Sequence, residues 1–310
     1  MANKINVGGQ AVIEGVMIRG LNSYVVAVRK NKRIITRKGK ISKKKYNFLK
    51  WPFIRGSINL FEMIIIGIKS IMWSAQQAAP GEENIGKKEI MLTLLFSIGL
   101  AIFFFVALPY FLTNLLGFAE EEKPITFNIV DGVIRILIFL IYIIGISFLE
   151  EVKTLFQYHG AEHKAIHCYE HNKKLTIENV KKFTTLHPRC GTSFLLIVFI
   201  VSIFVFSLLP SIIVYYFPDF LNLNNWIRKF TLFPIRILLI PFIAGISYEI
   251  LKISDKYQKS ILFGLISMPG LLLQKVTTKE PTNKQIEVAV FSLKKLLETD
   301  SKNQRFLEEK

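Results

Sequence analysis

His159-Gly-Ala-Glu-His-Lys-Ala-Ile-His-Cys-Tyr-Glu-His171 and His187-Pro-Arg-Cys190 together contain all five histidines and both cysteines of the 310-residue chain. Chance would scatter seven such residues, whereas here they fall within about a tenth of the sequence. Imidazole and thiolate are the ligands that zinc and related metals prefer. The stretch therefore predicts one chemical site, and the long hydrophobic segments on both sides of it decide the fold.

The hydrophobic segments are long enough to cross a bilayer. Four of them, at about 90–117, 129–149, 193–217 and 231–251, exceed the roughly 18 to 20 apolar residues that span about 30 Å of hydrocarbon. Hydrophobic residues make up 51% of the chain, yet its formal net charge is +17, which is typical of a membrane protein with basic soluble parts. We therefore expect a mainly α-helical integral membrane protein with four transmembrane helices in two hairpins.

The distribution of basic residues predicts the orientation, because connections rich in Lys and Arg stay in the cytoplasm. Residues 1–89 contain 17 of them, residues 150–192 seven and residues 252–310 eleven. Both termini and the His/Cys segment are therefore expected to be cytoplasmic, where cysteines are thiols or ligands rather than disulfides. The basic charge follows the membrane flanks, which favours the lipid bilayer over nucleic acid as its partner.

Six regions follow from this pattern. Alternating residues around Lys30-Asn31-Lys32 predict a small β unit with at least one hairpin. Apolar residues at helical spacing over 54–76 predict a helix in the membrane interface, because a crossing helix would bury Glu62 and Lys69. The predicted regions are a cytoplasmic β unit (1–50), an interfacial amphipathic helix with a linker (51–89), transmembrane hairpin 1 (90–149), a His/Cys metal-site insert (150–192), transmembrane hairpin 2 (193–251) and a cytoplasmic tail with a helix at about 283–297 (252–310).

The order His159-x-x-Glu162-His163 indicates zinc chemistry. Residues four apart stack on one helix face, so both imidazoles can bind one ion. The enclosed carboxylate is placed as a general base for water, as in inverzincins. His187 and Cys190 follow on a short return segment and offer the third and fourth positions. Four protein ligands would make a closed structural site, whereas three would leave a position for water.

Several other interpretations of the segment stay open. Cys190 follows Arg189 near a helix start, which would lower the thiol pKa and make it a nucleophile. The histidines would alternatively form a solvated row, or a pH switch that leaves the cysteines unexplained. Arg19 and Arg189 would hold an anionic group. The residues considered as an additional ligand or polar support are Glu249, Glu150, Glu14 and Arg189.

The chain resembles the YqhQ-type family of bacterial integral membrane proteins, described as predicted metal-dependent enzymes of unknown function. The resemblance covers almost the whole chain and implies that His159, Glu162, His163, His187 and Cys190 form the shared site. It also implies that His167 and His171 are bystanders, because the family pattern does not require histidine there. The motifs that carry it are Gly8-Gly-Gln-Ala-Val-Ile-Glu-Gly-Val-Met-Ile-Arg-Gly20, Phe156-Gln-Tyr-His-Gly-Ala-Glu-His-Lys164, Cys168-Tyr-Glu170, His187-Pro-Arg-Cys-Gly-Thr-Ser-Phe194, Gly245-Ile-Ser-Tyr-Glu249 and Thr277-Thr-Lys-Glu-Pro281.

These observations lead to one expected function and one alternative. We expect a divalent ion, assigned as zinc, bound by His159, His163 and His187 with Cys190 as fourth or alternate ligand. Glu162 would be the general base for hydrolysis of a lipid or membrane-associated substrate at the inner leaflet of the bacterial cytoplasmic membrane. The alternative is a non-enzymatic scaffold or regulator with a structural zinc. A transporter is less favoured, because the spans contain few ionisable groups.

Overall fold

A computed structural model describes residues 7–41, 46–47, 51–78, 87–118, 123–257 and 260–308. Within these residues, four β-strands precede ten α-helices. A π-helical turn, Phe103–Ala107, joins two of the helices, and a 3-10 turn, Pro218–Asn222, follows another. The elements are β1 (Gly8–Val12), β2 (Gly15–Arg19), β3 (Ser23–Lys30), β4 (Arg33–Lys40), α1 (Ile54–Ala78), α2 (Lys87–Ile102), α3 (Leu108–Leu115), α4 (Pro124–Ile146), α5 (Glu150–Glu170), α6 (Ile177–Lys181), α7 (Gly191–Tyr216), α8 (Asn225–Lys256), α9 (Ile261–Thr277) and α10 (Asn283–Glu308).

The strands form an antiparallel sheet in the order β1-β2-β3-β4. A tight turn joins β3 to β4, and Asn31 in this turn adopts a positive φ of 55°, so the predicted hairpin is confirmed. Side chains alternate between the two faces of a sheet. The register therefore places Val16 opposite Ala27 on one face and Met17 opposite Val26 on the other. All four side chains are buried, so other parts of the protein pack against both faces of the sheet.

Helices α5 and α10 cover the first face and complete the main hydrophobic core. Ile18 of the sheet packs there with Tyr158 and Ala161 of α5 and with Ile286 and Leu293 of α10. Full burial of one large apolar side chain contributes about 1.5–3 kcal/mol. This core therefore joins the N-terminal sheet, the histidine-bearing helix and the C-terminal helix into one unit.

Helix α1 covers the second face of the sheet. Ile66 packs with Met17 and Val26, and the Ser74 hydroxyl accepts a hydrogen bond from the Ile13 amide at 3.1 Å. The predicted amphipathic helix is confirmed, whereas its placement in the interface stays a prediction. The opposite side of α1, called the apolar stripe below, exposes Phe61, Ile64, Ile65, Ile68, Ile71 and Met72.

The N-terminal end of α1 contacts α8. Arg55 donates two hydrogen bonds to the Glu249 carboxylate, and Asn59 donates one to the Tyr248 hydroxyl at 3.1 Å. The two helices approach closely at Gly56, where an added Cβ would lie 2.8 Å from the Tyr248 Cβ. Helix α1 therefore connects the sheet to one of the long apolar helices.

Among the residues that the structure describes, five helices are long and apolar enough to cross a membrane by length and composition: Ile54–Ala78, Met91–Leu115, Ile125–Ile146, Gly191–Tyr216 and Phe230–Ser254. The last four coincide with the predicted spans, and α7 packs against both α4 and α8. The chain is therefore mainly helical with a small antiparallel sheet, and its apolar helices are compatible with a multi-pass membrane protein. The exact count of four spans stays a prediction.

Helix α9 lies within the predicted cytoplasmic tail and was not expected from the sequence. It packs against α7, and Gly270 permits the close approach because an added Cβ would lie 2.3 Å from the Ser193 Oγ. Its C-terminal end brings Gln274 and Thr277 to the histidine-bearing insert. The next helix, α10, confirms the amphipathic helix predicted over 283–297.

Candidate metal centre

Helix α5 positions the histidines through its packing against the sheet. Tyr158, Ala161 and Ala165 are buried in the core on one side of the helix. Glu150 and Glu151 lie in the first turn, where carboxylates interact favourably with the helix dipole. The core contacts fix the rotation of α5, and the adjoining side presents His159 and His163 to the segment that contains residues 185–190.

The first ligand group consists of His159, His163 and Cys190. One ligand atom of each lies within 4.8 Å of the others. The His159 Nε2 and the Cys190 Sγ are 3.2 Å apart, and the His159 and His163 ring centroids are 4.4 Å apart. Three of the four residues that the sequence assigns to a single ion therefore lie together.

Backbone carbonyls orient both imidazoles of this group. The His159 Nδ1 lies 2.8 Å from the Thr277 oxygen, and the His163 Nδ1 bonds to the Thr185 oxygen. A carbonyl only accepts, so each Nδ1 carries the proton and each Nε2 keeps its lone pair. Burial lowers the pKa of His163 well below its ordinary value. Both features favour the neutral ring that binds metals.

Cys190 is the N-cap residue of α7. Its sulfur lies 3.2 Å from the Thr192 hydroxyl and accepts a hydrogen bond from the Thr192 amide. Burial nevertheless raises the pKa of the thiol, because desolvation outweighs these hydrogen bonds. The lowered pKa expected for a nucleophilic Cys190 is therefore wrong. A thiolate here would need a bound cation to stabilise it.

Glu162 lies beside the first group and is only 2% exposed. Its Oε2 is 3.5 Å from the His163 Nε2, and its side chain contacts β1, where a Cβ on Gly9 would lie 2.7 Å from Oε1. Burial raises the pKa of this carboxyl to about 8, with His159 lowering the pKa and Cys190 raising it. Because Gly9 has no side chain, it leaves room for the buried Glu162 carboxyl next to the imidazoles.

A second ligand group consists of His167, Glu170 and His187. The His187 Nε2 lies 3.2 Å from the Glu170 Oε2, and the His167 and His187 ring centroids are 4.5 Å apart. The structure therefore places His187 with His167, which the family pattern had left as a bystander. The two groups adjoin, because the His163 and His187 ring centroids are 5.6 Å apart.

Gln274 of α9 fixes the backbone of His187. Its side-chain oxygen accepts from the His187 amide at 2.7 Å, and its nitrogen donates to the His187 carbonyl at 2.9 Å and to the Ser193 hydroxyl at 3.0 Å. This residue was not predicted from the sequence. The available signal was a glutamine at the end of an apolar run, Leu271-Leu-Leu-Gln274.

The segment Thr277–Pro281 closes the site over α5. The Lys279 amide donates to the Phe156 carbonyl at 2.9 Å, and Lys164 forms an ion pair with Glu280. A Cβ on Gly160 would lie 2.1 Å from the Lys279 carbonyl oxygen. A glycine at this position therefore lets the segment approach near enough for the Thr277 oxygen to reach His159.

The supporting residues considered in the sequence have other partners. Glu249 pairs with Arg55 and Arg19 pairs with Glu62, which leaves both engaged in helix packing. Exposed Glu150 lies 3.2 Å from Lys153. Glu14 accepts a hydrogen bond from the Tyr158 hydroxyl at 3.1 Å. Arg189 pairs with Glu170. His171 forms a hydrogen bond with the His167 carbonyl.

Comparisons with known proteins agree with the motifs in the sequence. A family model described as "Protein of unknown function (DUF1385)" matches residues 51–299. A similar protein, "Uncharacterized protein YqhQ" of Bacillus subtilis (strain 168), is 36% identical over 317 residues, covering 95% of this chain and 93% of that protein. No solved structure matches the chain significantly. The extent of both matches shows that the chain belongs to this YqhQ-type DUF1385 family of unknown function.

Proposed function

We propose that this chain is a zinc-dependent hydrolase that acts at the cytoplasmic face of the bacterial cytoplasmic membrane. Its substrate would be a lipid or a membrane-associated molecule. The observation that carries the proposal is the buried carboxyl of Glu162 beside His159, His163 and Cys190. A purely structural zinc site does not need such a carboxyl, whereas a hydrolase needs a proton acceptor at this place.

The donor atoms of the first group fit a zinc ion. Tetrahedral coordination, with bonds of about 2.1 Å to nitrogen and 2.3 Å to sulfur, separates the two ligand atoms by roughly 3.5 Å. The His159 Nε2 and Cys190 Sγ are 3.2 Å apart. The carbonyls of Thr277 and Thr185 hold both rings with Nε2 unprotonated, as the outer partners of zinc ligands do.

Three protein ligands leave a position open for water. A bound zinc ion supplies a Lewis acid that makes water a stronger nucleophile near neutral pH. Glu162 would accept a proton from the attacking water and return it to the leaving group. Burial raises the pKa of this carboxyl in the metal-free site, whereas a nearby cation would lower it and favour the ionised form that accepts a proton.

The outer surface of α1 supports action at a membrane. The apolar stripe lies on the side opposite the sheet, and Glu62 pairs with Arg19 of β2. An amphipathic helix of this kind lies in the bilayer interface with its apolar side among acyl chains. We infer that α1 anchors the sheet there, with both termini in the cytoplasm.

Isotope labelling tests for hydrolysis even while the identity of the substrate is open. The purified full chain, in nanodiscs made from native bacterial lipids with their membrane proteins, is incubated in H₂¹⁸O with zinc. Wild type should incorporate one ¹⁸O into a lipid-derived or peptide-derived product, detected by mass spectrometry. Glu162→Gln should bind the same amount of zinc and form no such product.

The same experiment separates the enzyme from the scaffold. Equal labelling by wild type and Glu162→Gln would exclude Glu162 as the base. A complete lack of labelled product from zinc-loaded wild type would favour the alternative, in which zinc only ties the insert to α7.

A further inference from the structure

We propose that His167, Glu170 and His187 bind a second divalent cation next to the first. The proposal rests on a compact, separate set of donor atoms, all within 4.8 Å of one another. Two imidazoles and a carboxylate are a common ligand set for zinc and for other divalent transition metals. The catalytic part of this inference, the handling of an anionic substrate, rests on the proposed function, whereas the binding of the cation does not.

Hydrogen bonds fix the orientation of the two imidazoles in the second group. The His167 Nε2 bonds to the Leu186 carbonyl at 2.8 Å, which leaves the lone pair on Nδ1. The His187 Nδ1 accepts from the Arg189 amide at 3.2 Å, so Nε2 faces Glu170. A cation on this Nε2 would require the ring proton to move to Nδ1, which would replace the hydrogen bond from the Arg189 amide and keep the contact between ring and carboxylate.

Arg189 and Gln274 support the same set. The Arg189 guanidinium pairs with Glu170 Oε1, which leaves Oε2 directed at His187. Gln274 holds the His187 backbone on both its amide and its carbonyl. Outer partners of this kind orient metal ligands and tune their affinity. Neighbouring side chains and backbone groups thus hold the second group in place.

The two groups adjoin closely enough to act on one substrate. His163 and His187 form the boundary, with ring centroids 5.6 Å apart. In the first group, Cys190 and Glu162 can offset the charge of one ion, whereas Arg189 already neutralises Glu170 in the second. A second cation would therefore leave positive charge that attracts an anionic group. Paired ions stabilise the attacking and leaving oxygens of phosphate esters, so the geometry points to a phosphate ester of a membrane lipid.

Metal stoichiometry tests the second site directly. The full chain is purified in detergent, loaded with zinc, desalted and measured by elemental analysis. Wild type should bind two equivalents and His167→Ala one. His171→Ala is the matched control, because His171 is exposed directly after the last residue of α5 and belongs to neither group. It should bind two equivalents.

The absorption spectrum of bound Co²⁺ distinguishes the two sites, even where a variant folds less well. Only the first group contains a thiolate, so one equivalent of Co²⁺ should produce a sulfur-to-cobalt charge-transfer band and another should bind without adding to it. Cys190→Ser should lose the band and keep one equivalent. Glu170→Gln, a nearly isosteric change, should keep the band and bind one equivalent.

The outcomes separate this inference from the proposed function. One equivalent in wild type, unchanged in His167→Ala and Glu170→Gln, overturns the second site and leaves the first intact. If wild type binds two equivalents and Glu162→Gln does not change ¹⁸O labelling, the proposed role of Glu162 is overturned and the second cation site stands. Inorganic phosphate is the probe for the substrate class: it should tighten binding of the second equivalent at least tenfold, and no change would exclude the phosphate ester.

Discussion

The pattern His-x-x-Glu-His occurs twice along α5 and its C-cap, at 159–163 and at 167–171, and the two copies have different surroundings. Glu162 of the first copy is buried beside His163, and burial raises the pKa of its carboxyl to about 8. Glu170 of the second copy is partly exposed and pairs with Arg189. Only the first copy brings both of its histidines into one ligand group, because His171 lies at the exposed end of the helix.

The difference shows that a short motif does not determine the chemistry of its carboxylate. A buried carboxyl without a guanidinium partner retains its proton to higher pH and can exchange it. A carboxylate that pairs with arginine stays ionised and serves better as a ligand. We therefore expect equivalent substitutions in the two copies to have different effects on metal content and on hydrolysis.

His163→Ala and His171→Ala should differ most. The first removes a buried ligand and should abolish zinc binding at the first group together with any hydrolysis. The second removes an exposed ring and should leave zinc content unchanged. Elemental analysis of both purified variants measures the difference, and equal zinc content would exclude His163 as a ligand.

Glu162→Gln and Glu170→Gln should separate catalysis from binding. Loss of a general base typically lowers the rate by about 10²–10⁴-fold, so Glu162→Gln should retain the first ion and lose turnover. Glu170→Gln should lower metal content and leave the first ion in place. Rates of ¹⁸O incorporation and metal analysis are measured together, and retention of full activity by Glu162→Gln would contradict the assignment.

Gln274→Leu should affect the second group alone. The change removes both hydrogen bonds to the His187 backbone and keeps a side chain of similar size. Loss of an outer partner typically weakens metal binding about 10- to 100-fold. Competition with a chromophoric chelator should show this loss for the second equivalent, and an equal loss for the first would mean that the two groups are not independent.

The pH dependence of stability in metal-free protein should show the smallest effect. The folded-state pKa of Glu162, about 8, exceeds its ordinary value of 4.5. Its contribution to stability is therefore complete below pH 4.5 and is lost as pH rises towards 8. Thermal unfolding of chelator-treated protein should show a midpoint that falls over this range. Glu162→Gln should flatten the fall and Glu170→Gln should retain it, whereas a midpoint that rises with pH would contradict the shift.

Local patterns in the sequence predicted most elements but not how they pack. Alternation predicted the β3–β4 hairpin, helical spacing predicted α1 and α10, and long apolar runs predicted four of the helices that are long enough to cross a membrane. The contact between His187 and His167 depends on Gln274, which lies 87 residues from His187 along the chain. Helix α9 was missed because its apolar run contains Pro269 and lies next to a basic tail. Such long-range hydrogen bonds leave no periodic signal.

The main core imposes an order on how the protein is made. The Ser292 hydroxyl of α10 donates to the Val25 carbonyl of β3, 267 positions earlier in the chain. Because α10 follows all the long apolar helices along the chain, the ribosome synthesises it after them. Until then, one face of the nascent sheet lacks the α10 side chains that bury it in the folded protein. Completion of the main core is thus tied to the synthesis of α10, and a chain stalled before α10 would leave apolar side chains of the sheet exposed.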